Sequence, residues 1–141
     1  MSLAGHDRRW LVRGAAIGAG AMLVFMLVAI AFAGALSTGA DTTWADRREM
    51  TAILFTAFWA VAAAGAAAIG AFQAAEHDAP DHASVRLAGA LGPVAIIVLA
   101  SLWGLGGDDA SIAAIVIEAV VEIGAAIMGA TALARRLEPG W

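Results

Sequence analysis

Residues 50–75, MTAILFTAFWAVAAAGAAAIGAFQAA, decide the fold of this chain, because no charged side chain interrupts them between Glu49 and Glu76. An α-helix needs about 20 residues to cross the hydrocarbon core of a bilayer, at about 1.5 Å per residue. The 26 residues of this stretch exceed that length. A helix of a soluble protein would carry a polar face along such a length. The stretch therefore predicts a membrane-spanning α-helix.

Three further stretches of the chain have the same character. Each is long enough to cross a bilayer and is uncharged apart from two glutamates in the last one; they cover residues 14–40, 87–107 and 110–134. Only 14% of the 141 residues are charged, against about 25% in soluble domains. The sequence therefore predicts an all-α membrane protein, a single domain with four transmembrane helices over about 11–36, 50–73, 86–105 and 111–134.

The arginines near the helix ends predict the orientation in the membrane. Six of the eight lie at the N-terminus, in the 73–86 connection or at the C-terminus: Arg8, Arg9, Arg13, Arg86, Arg135 and Arg136. Arg47 and Arg48 lie on the opposite side. Because arginine-rich ends stay in the cytoplasm, we expect both termini there and the chain in the plasma membrane. Short connections make successive helices antiparallel, which predicts an up-down four-helix bundle.

The first apolar stretch also resembles a secretory signal peptide, because three arginines precede it and Ala33-Gly34-Ala35 lies near its end. The apolar region of a signal peptide has about 7–15 residues, and this one is much longer. We therefore interpret it as a retained first span.

An internal similarity raises the hypothesis of a duplicated helical hairpin. The run 65–71, GAAAIGA, resembles the run 124–130, GAAIMGA, at an offset of 59 that also places Pro80 on Pro139. Duplication would relate the two hairpins by an axis along the membrane normal. The alternative is chance, since membrane helices rich in alanine and glycine produce such matches.

The residue types present exclude several chemistries. The chain has no cysteine, lysine or tyrosine, which removes thiol, Schiff-base and phenol chemistry. All three histidines lie outside the predicted spans, so a haem held by two histidines is not expected. No P-loop, zinc-protease helix or serine nucleophile elbow occurs. We therefore expect a protein that is not an enzyme, has no cofactor and binds no nucleic acid.

Small residues at helical spacing predict close contacts between helices. Apolar side chains gain little free energy by leaving lipid for a neighbouring helix, so membrane helices associate through small residues that let their backbones approach. The predicted packing glycines are Gly14, Gly18, Gly65, Gly70, Gly124 and Gly129. Packing inside the bundle is one interpretation of these faces. The other is an interface with a second copy of the chain or with a protein partner.

Glu118 and Glu122 give the sharpest functional signal. They lie four residues apart on one face of the fourth helix, with Glu122 near the middle of the span. A carboxylate there costs several kcal/mol unless it is compensated, and two neighbours repel. One of the pair is therefore expected to be protonated, to bind a cation or to meet a base on another chain. The alternative is a neutral acid hydrogen-bonded to a neighbouring helix, or Glu118 reaching toward the surface.

Counting residues along the spans predicts the neighbours of this pair. Trp59 falls at the level of Glu118, and Thr56 and Ser101 fall within about a turn of it. An indole N–H or a hydroxyl could satisfy Glu118. Because mainly apolar residues surround Glu122, it is the better candidate for an external partner or a transported ion.

His77 and His82 lie in an acidic connection and are weak candidates for a metal site. Their residue types suit a divalent cation, but their spacing matches no strict geometry. We interpret the connection as a solvated acidic loop.

Two functions follow from these patterns. The glycine faces favour a non-enzymatic accessory or assembly subunit of a larger membrane complex or homo-oligomer. The alternative is a small transporter or ion pathway for protons or other cations, using Glu122 and Glu118.

Overall fold

The computed structural model describes residues 8–37, 48–107 and 111–137. These residues form four α-helices, α1 (Arg9–Ser37), α2 (Arg48–Glu76), α3 (His82–Gly104) and α4 (Ile112–Arg136). Each helix contains a segment long and apolar enough to cross a membrane. The predicted all-helical class and the four helices are therefore confirmed. Pro139, which entered the hypothesis of duplication, and Arg47, which entered the prediction of orientation, lie outside the described residues.

The third helix begins four residues before the predicted 86, because a side chain caps it outside the apolar run. Asp81 is extended, and its Oδ1 accepts the backbone N–H of Ser84 at 2.7 Å. That bond satisfies one of the N–H groups that a helix start leaves without an intrahelical partner. Because the Ser84 backbone hydrogen bond favours the charged carboxylate, it lowers the pKa of Asp81.

A residue in the left-handed region follows the end of the second helix. Asp78 has φ 61°, and the following N–H, of Ala79, donates to the carbonyl of Ala74 at 3.2 Å. Aspartate tolerates this conformation better than most residues other than glycine. The bond closes the last turn as in a Schellman motif, with Ala74 and Ala79 both buried beneath it. The turn thus directs the chain into α3.

The helices pack as a rhombus rather than a square. The backbones of α2 and α3 each approach those of all three other helices, whereas no described Cα atom of α1 lies within 8 Å of one in α4. In the spanning segments, about a third of the residues of α2 and of α3 are fully buried. The corresponding shares are 22% in α1 and 6% in α4. α2 and α3 therefore form the short diagonal, and α4 is the most exposed helix.

Contacts along α1 give the relative direction of the first two helices. A Cβ atom built on Gly14 would lie 3.0 Å from Cβ of Ala74, and one built on Gly18 would lie 3.4 Å from the carbonyl oxygen of Ala66. Moving one turn forward on α1 thus moves backward on α2, so these helices are antiparallel. The complete up-down bundle and the duplicated hairpin stay predictions.

The core consists largely of alanine and glycine. Ala126, Ala130 and Ala134 form a buried ladder at intervals of four residues along α4. A Cβ atom on Gly129 would collide with the backbone of Ala64 in α2, and one on Gly92 with the carbonyl oxygen of Ala15 in α1. Helices this close gain stability from van der Waals contact between backbones, which is the main attraction available in lipid.

The predicted packing glycines divide into two groups. Added Cβ atoms would press against neighbouring helices at Gly14, Gly18, Gly70 and Gly129. A Cβ atom on Gly65 would meet only Phe25, at 3.9 Å, and one on Gly124 would meet nothing within 4 Å. Gly65 precedes Gly70 by five residues, and Gly124 precedes Gly129 by five. Because five residues turn an α-helix by about 140° beyond a full turn, the earlier glycine of each pair lies on a different helix face from the later one.

Gly124 and Gly129 provide a matched test of this packing. Gly124→Ala should stabilise the protein by up to about 1 kcal/mol, because alanine is the better helix former and the space is open. Gly129→Ala should destabilise it by about 1–3 kcal/mol, because the added carbon has no room. Unfolding of both variants in detergent micelles checks this, and shifts of the same sign would contradict it.

The cap on α3 should make stability depend on pH. Since the pKa of Asp81 is lowered in the folded chain, its contribution is complete above its ordinary value of 3.8 and is lost as the pH falls below that value. Asp81→Ala should therefore lower the melting temperature at pH 7, and the deficit should shrink in acid. Asp81→Asn, which retains an acceptor, should lose less. A deficit independent of pH would contradict the charged cap.

Candidate functional site

A cavity of about 250 Å³ lies between the four helices. It occupies the half of the bundle where α3 ends and α4 begins, since Gly104 and Ile115 line it together with Met22 and Met26 from the second half of α1. Every helix contributes to its wall. α3 and α4 approach each other there, since a Cβ atom built on Gly104 would lie 3.5 Å from Cδ1 of Ile115.

Both predicted glutamates line this cavity. Glu122 is half-buried and Glu118, one turn earlier on the same face, is exposed. Glu122 is the eleventh residue of the 25-residue α4. The described arginines lie at a helix end or within two turns of one, so the pair has no basic partner among the described residues. The carboxyl groups therefore share one cavity with no counter-charge among the side chains that the structure describes.

The cavity closes at the level of Glu122. Met22 and Ile97 line it and are 2% and 1% exposed, so they separate it from the core beyond. One turn further along α4, Ala126 is fully buried and begins the alanine ladder. Glu122 thus lies at the closed end, and the exposed Glu118 lies nearer the mouth.

Two of the three predicted polar neighbours line the cavity. Trp59 and Ser101 do so, whereas Thr56 is half-buried on α2 and does not appear in the wall. The Ser101 hydroxyl donates to the carbonyl of Ile97 at 2.8 Å, as serines inside helices commonly do. Its proton is therefore committed to its own helix and is not directed at Glu118. Its lone pairs can still accept a hydrogen bond from a ligand.

Two phenylalanines hold the indole of Trp59. The ring centroid of Phe55 lies 5.8 Å from that of Trp59 at an interplanar angle of 75°, and the centroid of Phe58 lies 5.7 Å away at 77°. Such edge-to-face pairs are favourable and fix ring orientation. Phe55 also lines the cavity, so two rings at a steep angle to each other border the same space as the carboxyl groups.

Sequence reasoning missed Phe55, Met22 and Met26 as parts of the site. One signal could have found them: each pair, Phe55 with Trp59 and Met22 with Met26, has the spacing of four that places side chains on one helix face. The spacing could not show which faces of α1 and α2 turn toward the cavity.

The weak metal candidates lie away from the cavity. His77 follows α2, and its Nδ1 lies 2.8 Å from the carbonyl oxygen of Gln73. His82 is half-buried at the first position of α3. Within residues 8–37, 48–107 and 111–137, no group of three or more histidine, aspartate or glutamate side chains is arranged to hold a metal ion.

Comparisons with known proteins give no further identification. No protein-family model matches the chain, and neither a curated protein nor a solved structure matches it.

Accessibility along α4 tests the cavity directly, because the chain has no natural cysteine. Cysteine introduced at Ala119, which lines the cavity, should react with a small water-soluble methanethiosulfonate reagent. Cysteine at Ala126, which is fully buried seven residues on, should not. Reaction rates measured by mass spectrometry check this; equal rates at the two positions would contradict a cavity closed at Glu122.

Proposed function

We propose that this chain is a multi-pass membrane protein that serves as a small transporter or ion pathway. Its cation, either a proton or a positively charged substrate, binds at Glu122 and Glu118. The observation that carries the proposal is the shared cavity of the two carboxyl groups, with Trp59 and Ser101 in its wall. An assembly role requires no such space. A carboxylate pair with no counter-charge beside it, as among the described residues here, is costly in a membrane. A bound cation removes that cost.

The proposed orientation follows from the arginines. Both termini lie in the cytoplasm of a cell with this chain in its plasma membrane, in four spans of an up-down bundle. The cavity lies in the half of the bundle that adjoins the connections 38–47 and 108–110, so its mouth faces outward. A cation would enter past Glu118 and reach Glu122 at the closed end.

A second candidate is the non-enzymatic accessory subunit, as part of a larger complex or homo-oligomer. One observation favours it: only 6% of the residues in the span of α4 are fully buried, and the helix carries the exposed Glu118. A base on a partner helix would compensate Glu122 and its neighbour Glu118 as a cation does. The two candidates differ in what Glu122→Gln releases, a cation in the first and a protein partner in the second.

Flux through reconstituted protein tests the first candidate. Proteoliposomes with a pH-sensitive dye inside, or with a labelled cation outside, should show flux that Glu122→Gln abolishes and Glu118→Gln weakens. Glu76→Gln, the same substitution at the exposed end of α2, should leave the flux unchanged. Absence of flux in the unmodified protein, or equal flux in all variants, would refute the transport proposal. Loss of a stoichiometric co-purifying protein on Glu122→Gln would then support the accessory subunit.

A further inference from the structure

The wall of the cavity restricts the kind of cation that fits. Among its described side chains, oxygen atoms come only from Glu118, Glu122 and Ser101. Hard cations such as Mg²⁺ and Ca²⁺ take six or more oxygen ligands in a tight shell. The remaining wall is made of thioether, aliphatic and aromatic groups. A cation that keeps part of its surface apolar would match this wall better than a bare metal ion.

The aromatic part of the wall has the form of a corner. Phe55 and Trp59 border the cavity with their planes 75° apart and their centroids 5.8 Å apart. Aromatic faces attract cations, and several rings set at an angle recognise methylated ammonium groups. Phe58 packs against Trp59 at 77° and keeps the indole in place. The corner is therefore oriented before any ligand arrives.

Size and charge complete the match. A volume of about 250 Å³ is somewhat below the range of pockets for drug-sized ligands, so it suits a small molecule. Carboxyl groups at the closed end and near the mouth supply negative charge on the α4 side of the cavity. A ligand with one positive charge and short apolar substituents would meet both the rings and the carboxyl groups.

We infer that the cavity takes a small organic ammonium cation, with its alkyl groups against Phe55 and Trp59 and its charge compensated by Glu122 and Glu118. This inference rests on the proposed function, in which the carboxyl pair binds a cation, and it names the substrate class. Choline is a suitable probe because 3,3-dimethylbutan-1-ol has the same shape without the charge.

Calorimetric titration of the full chain in lipid nanodiscs tests the inference. Choline should bind in sodium chloride buffer, and the neutral alcohol should bind at least ten-fold more weakly. Trp59→Leu or Phe55→Leu should weaken choline binding about five- to thirty-fold, as expected for losing a partly desolvated cation–π contact. Trp59→Phe, which keeps an aromatic ring at this position, should retain most of the affinity for choline. Phe72→Leu, on an exposed part of α2 outside the cavity, should bind as the unmodified protein does.

The outcomes separate this inference from the proposed function. If choline does not bind, or binds equally to the Trp59→Leu, Phe55→Leu and Phe72→Leu variants, the organic cation is refuted. Equal binding of the neutral alcohol refutes it as well. When one of these results accompanies flux that still depends on Glu122, the carboxyl pair carries a proton or an inorganic ion, and the cation site stands. When no flux depends on Glu122 either, both proposals fall.

Discussion

Close approach of helix backbones is the constraint on which the rest of this structure depends. In lipid, apolar side chains gain little by leaving the surrounding chains, so helices associate where small residues let them touch. Here Gly129 lies against the backbone of Ala64, and Gly92 lies against that of Ala15. These contacts occupy one half of the bundle. In the other half, larger side chains such as those of Trp59 and Met26 line the cavity.

The carboxyl pair lies in the half of the bundle that contains the cavity. A charged group in hydrocarbon is costly, and the cost falls when water or a cation can reach it. Glu118 is exposed and Glu122 is half-buried, so both keep a surface that a polar partner can contact. The apolar wall around them lowers the effective dielectric constant, which strengthens the attraction for a single positive charge. Two aromatic rings, those of Phe55 and Trp59, border the same space.

The sequence predicted the features that depend on run length and hydropathy, and it missed those that depend on the rotation of the helices. Run length alone predicted the four helices, because spanning a membrane is a matter of length and hydropathy. It missed the start of α3, because the Asp81 cap lies beyond the apolar run. Counting depth placed Trp59 and Ser101 near the level of the glutamates, and all four residues line the cavity. Depth alone could not give the rotation of each helix. For that reason Gly124 was predicted to pack and meets open space, and Phe55 was overlooked.

The order of residues along α4 ties the packing to the charge. Its first half carries the two glutamates, and its second half carries the ladder that begins at Ala126. Ala126 has no exposed surface, so a carboxylate placed one turn beyond Glu122 would have neither water nor room for a ligand. Burying an unpaired charge there would cost several kcal/mol and would also separate α4 from its neighbours. The glutamates therefore lie as deep along α4 as its packing allows, and a ligand that reaches Glu122 has reached the end of the open space.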